Sequence, residues 1–172
     1  MVHKTDLAKP AVRILLVCLG NICRSPTAHG VLQQLIEHRG LQERIAVDSA
    51  GTGDWHIGAA PDKRSSAAAA LRGYDLEALR ARQVCAEDFD QFDLVLAMDR
   101  TNLKDLRAQC PTRHHHKLKL FLDYGSGSHD AVPDPYYSGA QGFELVLDLV
   151  EDACEKLLES LQDEYSLDRP VS

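Results

Sequence analysis

One segment of this chain carries residue types that do chemistry together. Cys18 and Arg24 stand six positions apart and enclose Leu19, Gly20, Asn21, Ile22 and Cys23, with Ser25-Pro26 next. Glycine and asparagine tolerate the left-handed backbone of a tight loop. In such a loop successive backbone N–H groups turn inward and form a nest for an anion. Arginine adds a planar fork that grips two oxygens of a phosphate. A helix opening at Ser25-Pro26 would add the partial positive charge of its N-terminus. The same field acts on Cys18, because helix N-termini and cations lower a thiol pKa from about 8.5 toward about 3.5–7.5. The expectation is a thiolate at neutral pH, poised against a bound phosphorus. Ser25 has two readings: it caps the helix, or its hydroxyl donates to that thiolate.

Further candidates lie elsewhere in the chain. Asp134 sits between Pro133 and Pro135 in a long polar loop, 123–140, where it either initiates a turn or holds a carboxyl in place. Trp55, the only tryptophan, fills the core or walls a pocket, and the adjacent Tyr136 and Tyr137 would serve as walls too. Cys23 is a packed thiol or a disulfide partner for oxidised Cys18. Asp99 is read as a helix cap, Cys154 as a small core residue, and His114–His116 as a solvated turn before a strand.

The elements that position these residues follow from periodicity. Arg13–Cys18 is a short, continuously apolar run, the pattern of a parallel strand covered on both faces. Ala28, Val31, Leu32, Leu35 and Ile36 recur at helical spacing up to Gly40. Strands are expected at 45–50, 92–98 and 118–122, and helices at 63–72, 86–92, 99–109 and 141–165. The last has a stripe of Phe143, Val146, Leu147, Val150, Cys154, Leu157, Leu158 and Leu161. Alternating strands and helices predict an α/β three-layer sandwich with a four-stranded, mostly parallel sheet flanked by helices. Ligands in such folds sit beyond the carboxyl ends of the strands, where Cys18 and its loop fall.

The 172 residues suit one domain, expected over 12–165 between an N-terminal lead (1–11) and a C-terminal tail (166–172). A net charge of -7 argues against general binding to nucleic acid or anionic membranes. No apolar run is long enough to span a bilayer, and the first dozen residues lack a signal-peptide core, so a cytoplasmic location is expected. The five cysteines are odd in number and scattered, which is no disulfide framework, and no zinc-type spacing appears. Neither a metal nor a cofactor is expected.

The loop CLGNICRSP resembles the phosphate-binding loop of low-molecular-weight protein tyrosine phosphatases. The likeness extends to VDSAGTGDWHIG at 47–58, PDKR at 61–64, ARQV at 81–84, LAMDRTNL at 96–103 and DPYY at 134–137, in the family's order. It implies the phosphotyrosine phosphatase I type of fold and hydrolysis of phosphotyrosine through a cysteinyl-phosphate. Cys18 matches the nucleophile, Arg24 the phosphate clamp and Asp134 the general acid. Asn21 matches a loop-shaping residue, Ser25 the thiolate partner, and Ser49 a residue supporting Asn21. Trp55, Tyr136 and Tyr137 match the pocket walls, and Leu19, Gly20, Ile22 and Cys23 complete the phosphate loop. In related arginine phosphatases a threonine takes the place of Ile22, so Ile22 favours an aryl phosphate. One position departs from the family. A histidine that braces the loop asparagine in many members is Leu79 here, which cannot hydrogen-bond. The implied partners are a phosphotyrosine protein and a tyrosine kinase acting on it, with the enzyme a monomer or weak dimer. Two other readings stay open: an arsenate reductase of the same fold, which relays oxidation through two further cysteines, and an inactive phosphotyrosine-binding module.

Overall fold

The computed structural model describes residues 10–135 and 139–167. Its order is β1 (Val12–Cys18), α1 (Arg24–His38), β2 (Ile45–Gly51), α2 (Lys63–Leu71), α3 (Ala86–Gln91), β3 (Leu94–Ala97), α4 (Arg100–Gln109), β4 (Leu118–Leu120) and α5 (Ala140–Glu164). The strands form one parallel sheet in the order β2-β1-β3-β4. Strand β1 is apolar apart from Arg13 because both its faces are covered. Ile14, Leu16 and Cys18 pack in a cluster with α1 and α5, while Leu15 and Val17 pack with Phe89 and Leu106 of α3 and α4. The chain runs outward from β1 to β2, then returns past β1 to β3. The strand order therefore reverses beside the carboxyl end of β1, the place where such sheets bind ligands. Cys18 is the last residue of that strand.

Helix α5 buries the stripe read from its spacing, with Ala153 added to it. Each leucine so buried is worth about 1.5–3 kcal/mol over leaving it in water. The helix packs across α1 and so holds the element that follows the phosphate loop.

Several boundaries differ from the periodicity. Helix α1 starts at Arg24 with Cys23 as its N-cap, so Ser25 is not the cap. Pro26 gave a misleading start because proline fits anywhere in the first turn, where N–H groups lack intrahelical partners. Strand β3 begins at Leu94, since Phe92 ends α3. Strand β4 stops at Leu120, and Phe121–Tyr124 turn as a 3-10 helix while Phe121 and Leu122 stay buried. The histidine run forms a 3-10 turn, Thr112–Lys117, that is only partly solvated. His114 pairs with Asp90 at 2.8 Å and His115 with the Cys110 carbonyl at 2.8 Å, which binds the turn to its neighbours. The packed body also reaches further at both ends than 12–165. Ala11 donates to the Arg44 carbonyl at 2.8 Å, and Leu167 is buried in the core.

Candidate active site

The loop after β1 is clasped from several sides by backbone hydrogen bonds. Thr52 N–H donates to the Cys18 carbonyl and Gly53 N–H to that of Leu19, both at 2.9 Å, and Asp62 N–H donates to Ile22 at 2.7 Å. Gly51 must lack a side chain, because a Cβ there would stand 2.6 Å from the Leu19 carbonyl oxygen. Asn21 adopts a left-handed φ of 56°, the conformation that asparagine tolerates best after glycine.

This backbone aims donors at the Cys18 sulfur. The Asn21 N–H lies 3.3 Å from Sγ and the Ser25 Oγ lies 3.0 Å from it. The direction of the hydroxyl proton follows from its neighbours. Arg82 N–H donates to one end of the Asn21 amide at 3.0 Å, so that end is the oxygen. The other end, Nδ2, donates to Ser25 Oγ at 2.8 Å. Ser25 therefore accepts from Asn21 and has its own proton to give to Sγ. Its alternative acceptor, the Ala50 carbonyl, is further away at 3.5 Å.

Arg24 is buried, and its guanidinium is held from behind. Nη1 donates to Asp99 Oδ2 at 2.6 Å and to the Val132 carbonyl at 3.1 Å. The opposite nitrogen, Nη2, lies 3.9 Å from Asp134 Oδ2. Asp99 does cap α4, through Oδ1 and the Asn102 N–H at 2.7 Å, yet its second oxygen serves the site. Val132 N–H is docked on the Met98 carbonyl at 2.8 Å, and Asp134 follows two residues later.

These groups line one cavity of about 300 Å³, with Cys18, Leu19, Gly20, Ile22, Cys23, Arg24, Trp55, His56 and Asp134 around it. Trp55 is 70% exposed, which rules out core filling, and its indole lies over Gly53, where any Cβ would collide with it. His56 lies over Gly20 and was not expected in the site; its place beside Trp55 in the VDSAGTGDWHIG segment was the signal. Tyr136 and Tyr137 lie outside the described residues. Cys23 is buried, and its thiol is pushed up to about 12, chiefly by desolvation, with a Ser65 hydrogen bond opposing and Asp62, Asp134 and Cys18 adding to the rise. Among the described residues no cluster of histidine, cysteine or carboxylate side chains is arranged to hold a metal ion.

A thiol, a clamped arginine and a carboxylate thus line one cavity at the end of a central strand. The chain matches the family model for low molecular weight phosphotyrosine protein phosphatase over residues 13–167. The chain belongs to that family. The Synechocystis protein slr0328 is 49% identical over 155 residues, covering 89% of this chain and 98% of its own length. The low molecular weight protein-tyrosine-phosphatase YfkJ of Bacillus subtilis is 42% identical over 91% of this chain and 99% of its own. A crystal structure of a protein tyrosine phosphatase from Entamoeba histolytica superposes with a TM-score of 0.86 and 40% identity, covering 89% of this chain and 98% of that one.

The support of the loop asparagine differs from what the resemblance implies. Leu79 packs against the core. Ser49, expected to support Asn21, instead pairs its Oγ with His29 Nδ1 at 2.9 Å, because both ends of the Asn21 amide are taken by Ser25 and Arg82. His29 is buried, which pulls its pKa below the usual imidazole value, with Asp48 opposing and Arg82 assisting. Arg82 itself is clamped between two carboxylates. It bonds Asp88 through both Nη atoms at 3.0 Å and Asp48 through Nε at 3.1 Å. Arg82 and Asp48 lie in the ARQV and VDSAGTGDWHIG segments, but nothing in the sequence points to a role for them or for Asp88, since each acts across the fold.

Proposed function

We propose that this phosphatase hydrolyses phosphotyrosine with Cys18 as nucleophile, Arg24 and the loop N–H groups as phosphate binders, and Asp134 as general acid and base. The observation that carries the reading is the Cys18 sulfur at the cavity floor. It receives the Asn21 N–H and the Ser25 hydroxyl, and Arg24 and Asp134 line the same cavity. In the first step the thiolate forms a bond to phosphorus as the bond to the phenolic oxygen breaks. Asp134 gives its proton to that oxygen. In the second step water attacks the cysteinyl-phosphate, its proton passes to the Asp134 carboxylate, and the thiolate leaves, releasing inorganic phosphate.

Asp99 and Val132 hold one edge of the Arg24 guanidinium, so the fork meets phosphate in a fixed orientation. Trp55 offers an aromatic face at the mouth, and Ile22 an apolar wall, which suits an aryl ester. A phosphoserine ester is too short to bring its phosphorus to the loop floor while its backbone stays outside. The substrate is then a protein phosphorylated by a tyrosine kinase, met in the cytoplasm by a monomeric or weakly dimeric enzyme. Cys110 belongs to the core cluster on the far face of the sheet from Cys18, which speaks against the cysteine relay of an arsenate reductase. Cys23, buried within the same loop, is the thiol we assign to trapping oxidised Cys18.

The test is turnover of para-nitrophenyl phosphate, and of matched phosphotyrosine and phosphoserine peptides, by the parent chain and Cys18→Ser. Abolished turnover in Cys18→Ser and a strong preference for the phosphotyrosine peptide are expected. Retained turnover, or equal kcat/KM on both peptides, would overturn the reading.

A further inference from the structure

The geometry points to Arg82 as a positioning residue that sets the polarity of the hydrogen-bond relay ending on the Cys18 sulfur. This inference rests on the role proposed for Cys18. The relay runs from Arg82 N–H to Asn21 Oδ1 at 3.0 Å, from Asn21 Nδ2 to Ser25 Oγ at 2.8 Å, and from Ser25 to Cys18 Sγ at 3.0 Å. An amide that flipped would present its oxygen to Ser25. Ser25 would then donate to Asn21 and leave the sulfur without its proton. The Arg82 N–H forbids that flip, since an amide NH2 cannot accept from it.

The N–H stays in place because Arg82 is fixed on every side. Its carbonyl accepts from Gly51 N–H at 2.8 Å, and Val84 N–H donates back to Gly51 at 2.9 Å. Its guanidinium takes Asp88 in a two-pronged pair at 3.0 Å, and Asp88 is itself buried and accepts from Cys85 N–H at 2.8 Å. On the other side Asp48 takes Nε at 3.1 Å and also accepts from Ser49 N–H at 2.8 Å. Two-pronged carboxylate pairs are the strong, directional class of ion pair. The clamp thus ties the 82–84 segment to the middle of β2 and the first turn of α3. With Leu79 unable to bond Asn21, this backbone contact is what orients the amide from outside the loop.

The test compares Arg82→Met, which keeps the N–H but removes the clamp, with Arg82→Lys, which restores one charged contact. Kinetics are normalised to folded protein, well below the melting temperature. Arg82→Met is expected to lower kcat/KM on para-nitrophenyl phosphate about tenfold and to slow iodoacetate alkylation of Cys18 at pH 6 severalfold. Arg82→Lys is expected to recover part of both. The deciding measurement repeats Arg82→Met in an Asn21→Gly background, where glycine keeps the left-handed backbone and the relay is already cut. There its effect should shrink below about twofold, the non-additivity of residues acting through one path. Asp48→Asn, which loosens the exposed side of the clamp, provides the same comparison should Arg82→Met fold poorly. An undiminished effect in the Asn21→Gly background, or unchanged alkylation and kcat/KM, would overturn the inference. Such a result would leave the Cys18 chemistry standing, because that is tested separately by Cys18→Ser.

Discussion

Arg24 and Asp99, 75 positions apart, meet at 2.6 Å with the guanidinium buried and the carboxylate partly exposed, and Asp99 divides its two oxygens between that guanidinium and the first turn of α4. Asp99→Asn separates the two duties. Asparagine caps a helix as well as aspartate does, so stability should change little from the cap, but the charge behind Arg24 is lost. The fork is then less firmly held, and kcat/KM on para-nitrophenyl phosphate should fall about tenfold, or about 1.4 kcal/mol of transition-state binding. Asp99→Ala should show the same kinetic loss plus about 1 kcal/mol of stability for the missing cap. Steady-state kinetics with urea unfolding of both variants checks this, and parent-like kinetics in Asp99→Asn would reduce Asp99 to a cap.

Asp134→Asn keeps the shape of the cavity wall and removes both proton transfers. General acid catalysis is worth about 10²–10⁴-fold, and most when the leaving group is a weak acid such as tyrosine, with pKa about 10. The expected loss in kcat/KM is far greater on phosphotyrosine than on para-nitrophenyl phosphate, whose phenolate leaves readily. Equal losses on both substrates would make Asp134 a turn residue.

The catalytic loop was legible in the sequence because its parts are local. Cys18, Gly20, Asn21 and Arg24 lie within seven positions, and the apolar run before them marks a covered strand. The stripe of α5 was equally plain, since helical spacing is a local property. Residues that act across the fold were not. Asp99 reads as a cap at its own position, and only the parallel pairing of β1 with β3 carries it to Arg24. Ser25 carries two readings in the sequence, a donor to the thiolate or a cap, the latter because Ser-Pro so often opens a helix. The helix in fact starts two residues earlier, at Arg24 with Cys23 as its cap, which frees that hydroxyl for Asn21 and Cys18. Arg82 contributes to the loop through its backbone, which leaves no mark in residue type.

Peroxide offers a test of Cys23. Oxidation of the Cys18 thiolate to sulfenic acid can be followed by attack of Cys23, giving a disulfide and water. The attacking species is the thiolate, and burial raises the Cys23 thiol to about 12, so trapping should be slow near neutrality and quicken as pH rises. Cys23→Ser should start with near-normal activity yet recover less after peroxide followed by dithiothreitol. Equal recovery, with no disulfide between residues 18 and 23 by mass spectrometry, would leave Cys23 as packing alone.

His29 should make stability depend on pH. Burial lowers its pKa in the folded state, while the unfolded chain keeps the ordinary value of about 6.5. The unfolded state therefore binds more protons as the medium is acidified, and stability present above about pH 6.5 is lost on going below it. The groups around it are Ser49, which shares its Nδ1, with Asp48 opposing the shift and Arg82 assisting it. Melting temperatures between pH 7.5 and 5 should fall more steeply for the parent chain than for His29→Gln. Parallel curves would assign the acid sensitivity to other groups.

The bond from Arg24 to the Val132 carbonyl spans 108 positions. Residues on the two sides of that span cannot meet until most of the chain exists, and contacts so distant in sequence slow folding. A nascent chain that has emerged only as far as β3 already has Cys18, Arg24 and the whole phosphate loop, yet it lacks the carbonyl that steadies the arginine and the carboxylate two residues beyond it. Dephosphorylating power should therefore arrive late and abruptly during synthesis, and its return after denaturation should time the docking of the 125–135 loop rather than the formation of the sheet.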